Sequence, residues 1–202
     1  MKKGRISKIT RKTKATDIFV KINIDGTGKS KISTGIGLLD HMLELFSFFG
    51  FFDLEIKAKG DLDVDLHHTN EDVGIVLGEA FKKALKDKKG IKRFGFAIVP
   101  MEDVLATVVL DISGRAHFKL NTDENLSDKK EENYSFLDAQ HFFESFAKHL
   151  GINLIIILKN TNQASLHTIL EPTFKGLGIA LDNATSIDKR RKGVPSTKGI
   201  ID

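Results

Sequence analysis

Residues 40–46, DHMLELF, return as residues 140–146, QHFFESF, so His, Glu and Phe recur 100 positions apart. A second pair of segments follows the same offset, since HHTNE at residues 67–71 returns as HTILE at residues 167–171. Core packing would explain matched apolar residues, but it does not explain matched His and Glu. The sequence therefore predicts a duplicated unit that builds a metal or acid–base site twice.

Each copy of the unit also repeats its secondary structure. Alternating apolar and polar residues predict strands, and apolar residues at helical spacing predict two helices per copy. The predicted strands are 16–25, 52–65 (two short strands with a turn at Gly60), 105–120 and 152–160, and the predicted helices are 35–50, 67–87, 135–151 and 165–184. Further matched pairs are Phe46/Phe146, Leu54/Leu154, Ile56/Ile156, Leu77/Leu177, Gly78/Gly178 and Ala80/Ala180.

Paired strands between amphipathic helices favour an α+β fold in which helices pack between and against mixed sheets. We expect two half-domains related by a pseudo-twofold axis, residues 1–95 and residues 96–202, the second ending in a polar tail. The polar segment 122–135 is expected to be a surface loop.

The composition narrows the class of protein and the chemistry of any metal site. A hydrophobic content of 41% with 29% charged residues is ordinary for a globular protein. No stretch approaches the roughly 18 to 20 apolar residues of a membrane helix, and no apolar segment follows the basic residues 1–14, so we expect no membrane partner, no signal peptide and a cytoplasmic location. Because the chain has no cysteine, metal ligands must be His and carboxylates.

Basic residues cluster at both ends and in residues 82–93, although the formal net charge is only +4. Nucleic-acid binding usually adds interleaved aromatic residues, whereas this chain has one Tyr and no Trp. We therefore expect a solvated lysine-rich surface and no nucleic-acid partner. A few of these cations could bind a small anionic substrate, and the candidates are Arg93, Arg115, Lys175 and Lys198, the last close to Ser196.

His67 and Glu71 lie four residues apart at the start of a predicted helix, so they project from one face. An imidazole and a carboxylate at that spacing can bind one divalent ion together. His68 points about 100° away from His67, so we expect the two adjacent histidines to serve different ions.

A single His-x-x-x-Glu pair would more simply be a surface contact worth a few tenths of a kcal/mol. Here the pair recurs at His167 and Glu171, and a further histidine precedes each pair, His41 in one copy and His141 in the other. This duplication favours two metal positions. Ligand type alone leaves Mn, Fe, Co, Ni and Zn open.

The chain resembles the imidazoleglycerol-phosphate dehydratase family of histidine biosynthesis. Matching blocks run in order over nearly the whole chain, and they are LLDHML (38–43), GDLDVDLHHTNEDVG (60–74), KGIKRFG (89–95), LDISGR (110–115), HFFESFA (141–147), LEPTFK (170–175) and PSTKG (195–199). The resemblance implies a duplicated fold of the ribosomal-S5-domain-2 type and large homo-oligomers, 24-mers built from trimers, with metal sites between subunits. It also implies a Mn²⁺-dependent hydro-lyase that removes water from imidazole-glycerol phosphate to give imidazole-acetol phosphate.

The resemblance assigns roles to the candidate residues, with two Mn²⁺ sites per active unit. The metal ligands it implies are His41, His67, His68, Glu71, His141, His167 and Glu171. The phosphate-binding residues it implies are Arg93, Arg115, Lys175, Ser196 and Lys198.

The chain also departs from the family pattern. Thr168 stands where the family has a second histidine ligand, which would impair one metal site, and Ala15 stands where it has an acid–base Glu. Leu45 and Phe49 replace a Gln and a His that help bind substrate. Two interpretations follow: a working dehydratase, or alternatively a catalytically impaired paralogue that keeps the oligomeric scaffold and its metal and phosphate binding.

Overall fold

The computed structural model describes residues 4–201, so the first three residues of the basic N-terminal segment and residue 202 of the tail lie outside it. Two four-stranded sheets and four long helices make up most of the chain. In chain order the elements are β1 (Ile6–Lys12), β2 (Thr16–Asn23), β3 (Ser30–Ser33), α1 (Gly37–Phe49), β4 (Asp53–Gly60), α2 (Leu66–Leu85), β5 (Phe94–Met101), β6 (Val104–Asp111), β7 (His117–Thr122), β8 (Lys130–Glu131), β9 (Tyr134–Ser135), α3 (Phe136–Leu150), β10 (Asn153–Lys159) and α4 (Leu166–Thr185).

The two sheets share one topology. The first has the strand order β1-β2-β4-β3 and the second has β5-β6-β10-β7. In both, the first three strands in that order are antiparallel and the last pair, β3 with β4 and β7 with β10, is parallel. The structure thus confirms the predicted α+β fold and its duplication.

The helices lie between the two sheets and join the halves. α2 packs on the first sheet and α4 on the second, while α2 also packs on α3 and α1 on α4. Phe46 of α1 and Phe146 of α3 meet edge to face, with ring centroids 6.3 Å apart. The half-domains therefore share one apolar core.

The matched glycines permit this helix packing. A Cβ added at Gly178 of α4 would lie 2.5 Å from the carbonyl oxygen of Phe46, and one at Gly78 of α2 would lie 2.7 Å from that of Phe146. Each glycine thus faces the phenylalanine of the opposite half. These two equivalent contacts between the halves are what a pseudo-twofold axis predicts.

Several details of the secondary structure differ from the sequence predictions. The prediction of a second short strand after Gly60 is wrong, because residues 61–65 form a turn. Asp65 at the end of this turn accepts a hydrogen bond from the backbone N–H of His67 and so caps α2. Segment 122–135, expected to be a loop, contains the β8–β9 hairpin. The predicted division at residue 95 falls within β5 and stays a prediction. The strands β1, β3 and β5 were not anticipated.

Candidate metal centre

Helices α1 and α4 bring three candidate ligands together. His41 of α1 lies with Nε2 3.4 Å from Oε1 of Glu171. His167, one turn before Glu171 on α4, has Nε2 2.7 Å from the same oxygen. One ligand atom from each of the three residues lies within 4.8 Å of the others. We call this group the triad, and it combines the first half's His41 with the second half's pair.

Glu171 is ionised in this setting. Burial raises the pKa of its carboxyl, but hydrogen bonds from Lys175, His167 and His41 outweigh that effect and lower the pKa to about 2. Lys175, four residues further along α4, contacts the second carboxylate oxygen, Oε2. The triad therefore presents a fixed negative charge beside two imidazoles, a donor set that suits an intermediate divalent cation.

A second cluster stands in the pseudo-twofold position. His67 and Glu71 of α2 face His141 of α3, with the Nδ1 atoms of the two histidines 3.2 Å apart and His67 Nε2 3.7 Å from Glu71 Oε2. The predicted helical pairing of His67 with Glu71 is thus confirmed. As in the triad, the helical pair comes from one half and the further histidine from the other.

The C-terminal tail and two arginines line a separate basic cavity. Arg93, Arg115, Ser196 and Lys198 line one cavity of about 300 Å³. The Arg93 side chain donates to Asp111 at 2.6 and 2.9 Å and to the carbonyl oxygen of Pro195 at 2.9 Å, so it fastens the tail to β6. The hydrogen bond to Asp111 raises the pKa of Arg93. Lys175, grouped with these residues at the sequence level, instead lies beside Glu171 in the triad.

Comparisons with known proteins identify the family of this chain. The family model of imidazoleglycerol-phosphate dehydratase matches residues 34–181. A protein of that name from a Thermoanaerobacter species is 51% identical over 197 residues, which cover 98% of this chain and 100% of the relative. The chain belongs to the imidazoleglycerol-phosphate dehydratase family. A family member from Methanocella arvoryzae is 48% identical over 197 residues, 98% of this chain and 100% of that relative.

Solved structures of the family have the same fold. The enzyme from Staphylococcus aureus matches with a TM-score of 0.78 and 33% identity, covering 91% of this chain and 99% of that chain. The enzyme from Pyrococcus furiosus matches with a TM-score of 0.78 and 38% identity, covering 95% of this chain and 99% of that chain.

His68 and Thr168 lie outside both clusters, although the family pattern has a metal ligand at each of these two positions. His68 points away from His67, and its Nδ1 lies 3.2 Å from Oδ2 of Asp61. Thr168 is buried, its backbone N–H donates to Ser165 Oγ at 3.1 Å, and its own hydroxyl lies 3.1 Å from the same oxygen. Thr168 therefore serves the N-terminal cap of α4, where the family motif has a histidine.

Some contributing residues were missed at the sequence level. Glu131 of β8 accepts a hydrogen bond from the backbone N–H of His167 at 3.1 Å and so helps fix the start of α4. Asn70 of α2 donates to the carbonyl oxygen of Asp138 and accepts from the hydroxyl of Tyr134, which ties α2 to α3. Asp65 could have been found as a capping residue before a helix, but the partners of Glu131 and Asn70 lie far away in the chain.

Proposed function

We propose that this chain is an imidazoleglycerol-phosphate dehydratase, a hydro-lyase that removes water from imidazole-glycerol phosphate to give imidazole-acetol phosphate in histidine biosynthesis. The carrying observation is the triad, an ionised carboxylate between two imidazoles built from both halves of a chain matched to this family along nearly its whole length. No finding favours the alternative of a catalytically impaired paralogue. We propose a cytoplasmic location because the role is biosynthetic. Among residues 4–201 no helix is long and apolar enough to span a membrane.

We propose Mn²⁺ as the cofactor, held at two sites. The triad residues His41, His167 and Glu171 fit it because their donor atoms are already gathered around one point and the carboxylate is charged. His67, Glu71 and His141 would hold the second ion. Thr168, which follows His167 on α4, would leave one of the two sites a ligand short of the family pattern. When bound, the metal supplies a Lewis acid that stabilises negative charge on the substrate imidazole.

The chain's own residues would position the other end of the substrate. Arg93, Arg115, Ser196 and Lys198 offer two guanidinium groups, a hydroxyl and an ammonium in one cavity, which suits a phosphate. Because Asp111 and the Pro195 carbonyl already hold Arg93, little side-chain freedom would be lost when an anion binds. Lys175, which the family resemblance also assigns to phosphate binding, lies beside Glu171 and outside this cavity.

We further propose that copies of this chain assemble through the outer face of the second sheet. That face is apolar: Phe96 is 68% and Ile98 is 60% exposed on β5, beside the exposed Val109 of β6. Water-exposed apolar patches of this kind usually mark interaction surfaces. A second copy is the expected occupant because the family resemblance implies large homo-oligomers, 24-mers.

The equivalent face of the first sheet has the opposite character. On β4, Glu55 and Lys57 form an ion pair at 2.8 Å, whereas the matched residues of β10 are Ile155 and Ile157. The two sheets share a topology, so this difference is a property of the outward side chains and not of the backbone. The charged first face suits water, and the apolar second face suits a protein partner.

The proposed assembly predicts that charged side chains on β5 reduce the size of the oligomer. The double substitution Phe96→Lys and Ile98→Lys is expected to convert the large oligomer to a smaller species, because burying two ammonium groups in an apolar interface is unfavourable. Light scattering after gel filtration measures the mass. Phe19→Lys, on the outer face of the first sheet, is the matched control and should keep the parent's mass. An unchanged mass for the β5 variant would remove this face from the assembly.

The activity itself has a direct test. Purified protein supplied with Mn²⁺ should form imidazole-acetol phosphate from imidazole-glycerol phosphate, lose that activity with a chelator and regain it when Mn²⁺ is restored. An active family member run in parallel controls for the assay. No turnover by the metal-loaded protein in that assay would reject the proposed function.

A further inference from the structure

The second cluster opens into a cavity that contains one more imidazole, to which the family motif gives no role. The cavity has a volume of about 310 Å³. Its wall includes His67, Glu71 and His141 of the cluster together with Ser145, Lys148 and His149. Since His141, Ser145 and His149 follow one another at four-residue spacing on α3, they form one stripe along the cavity.

The ring of His149 is held in one tautomer. Its Nδ1 lies 2.8 Å from the backbone carbonyl oxygen of Ser145. A carbonyl oxygen only accepts hydrogen bonds, so Nδ1 carries the proton of the neutral ring and Nε2 keeps its lone pair. The Cβ atom of His149 packs against Gly78 of α2, because a Cβ added at Gly78 would lie 3.1 Å from it. The half-buried imidazole therefore has a fixed support, and no group of residues 4–201 is hydrogen-bonded to its basic Nε2.

His149 is placed beside the cluster and not within it. Eight residues of α-helix separate it from His141, a rise of about 12 Å, and helical side chains lean back toward the N-terminus by part of a turn. The ring is thus too distant to share an ion with His141. Its position suits the carbon chain of a molecule whose ring is bound at the cluster.

The equivalent position near the triad has no such group. One hundred residues earlier stands Phe49 of α1, whose ring lies 5.7 Å from the Lys175 ammonium. A phenyl ring cannot accept a proton, and neither can the methyl group of Ala15. Of the two pseudo-twofold positions, the one occupied by His149 is the one equipped for proton transfer.

We propose that His149 is the proton-transfer residue of the dehydration, an assignment that rests on the proposed function. Nε2 takes the proton from the carbon next to the one attached to the imidazole. The C–H electron pair becomes a carbon–carbon double bond, and hydroxide leaves from the carbon attached to the ring. The product of this elimination is an enol. The hydroxide takes the proton of the enol hydroxyl and becomes water, while His149 gives its proton to the carbon attached to the ring, so that the enol becomes the ketone.

The test compares His149→Asn with the parent oligomer. Asparagine keeps a donor near the Ser145 carbonyl but has no basic nitrogen, so kcat should fall by about 100-fold or more while Mn²⁺ content per chain and KM change little. With substrate deuterated at the carbon that loses its proton, the isotope effect on kcat should increase, because proton transfer then limits turnover. His117→Asn on β7 is the matched control, and His149→Gln is a second variant expected to behave like His149→Asn.

Each outcome decides the assignment. A lower kcat with unchanged metal content and a larger isotope effect supports it. Parent-like turnover by both folded variants overturns it, and so does loss of Mn²⁺, which would make His149 a ligand or a support of the cluster. No turnover by the parent would reject the proposed function itself, and this inference with it.

Discussion

Replacing Glu171 with glutamine is expected to remove tight Mn²⁺ binding at the triad and to abolish most dehydratase turnover. The carboxylate accepts from His41, His167 and Lys175, and it is the one anionic group of the triad. An amide has no charge to offer the cation and leaves the Lys175 ammonium close to it. Loss of groups that merely orient metal ligands costs about 10- to 100-fold in affinity or activity, so loss of a ligand should cost at least about 100-fold.

Calorimetric titration with Mn²⁺ and a turnover assay measure the two effects. Glu44→Gln is the matched control, because Glu44 is an exposed residue of α1 three positions after His41 and outside the triad. That variant should behave as the parent does. If Glu171→Gln bound Mn²⁺ with the parent's affinity and stoichiometry, the triad would not be a metal site.

Replacing Gly178 with valine is expected to destabilise the fold by more than about 2 kcal/mol, because overpacking of a core costs about 1–3 kcal/mol even where side chains can adjust. Here the added Cβ would meet the Phe46 carbonyl oxygen at 2.5 Å and the Gly50 backbone nitrogen at 3.1 Å. Backbone atoms of α1 cannot rotate away as a side chain can. The two helices must separate, which also pulls His41 away from Glu171.

The direction of the change in the free energy of unfolding distinguishes helix packing from helix propensity. Intrinsic helix propensity favours most residues over glycine inside a helix by a few tenths to about 1 kcal/mol, so propensity alone would predict a gain. Denaturant unfolding measures the free energy of unfolding. Gly193→Val is the control, since an added Cβ there meets nothing within 4 Å. A Gly178→Val protein as stable as the parent would show that α1 and α4 do not pack this closely.

Much of the architecture was predictable because it depends on local periodicity. The four long helices and the strands containing β2, β4, β6, β7 and β10 follow from apolar spacing. β1 and β3 were missed because their lysine- and serine-rich sequences give little apolar alternation. The strand predicted after Gly60 failed because Asp65, which reads as part of an alternating pattern, is used as a helix cap.

In the candidate site, too, the local pairs were predictable from the sequence and the long-range contacts were not. Sequence alone determined that His67 pairs with Glu71 and His167 with Glu171, since residues four apart on a helix must share a face. Only the tertiary structure decided which further histidine joins each pair. His41 could have served its own half, but the close approach of Gly178 to Phe46 packs α1 on α4, and the approach of Gly78 to Phe146 packs α3 on α2. The choice depends on contacts between residues far apart in the chain, which no local spacing records.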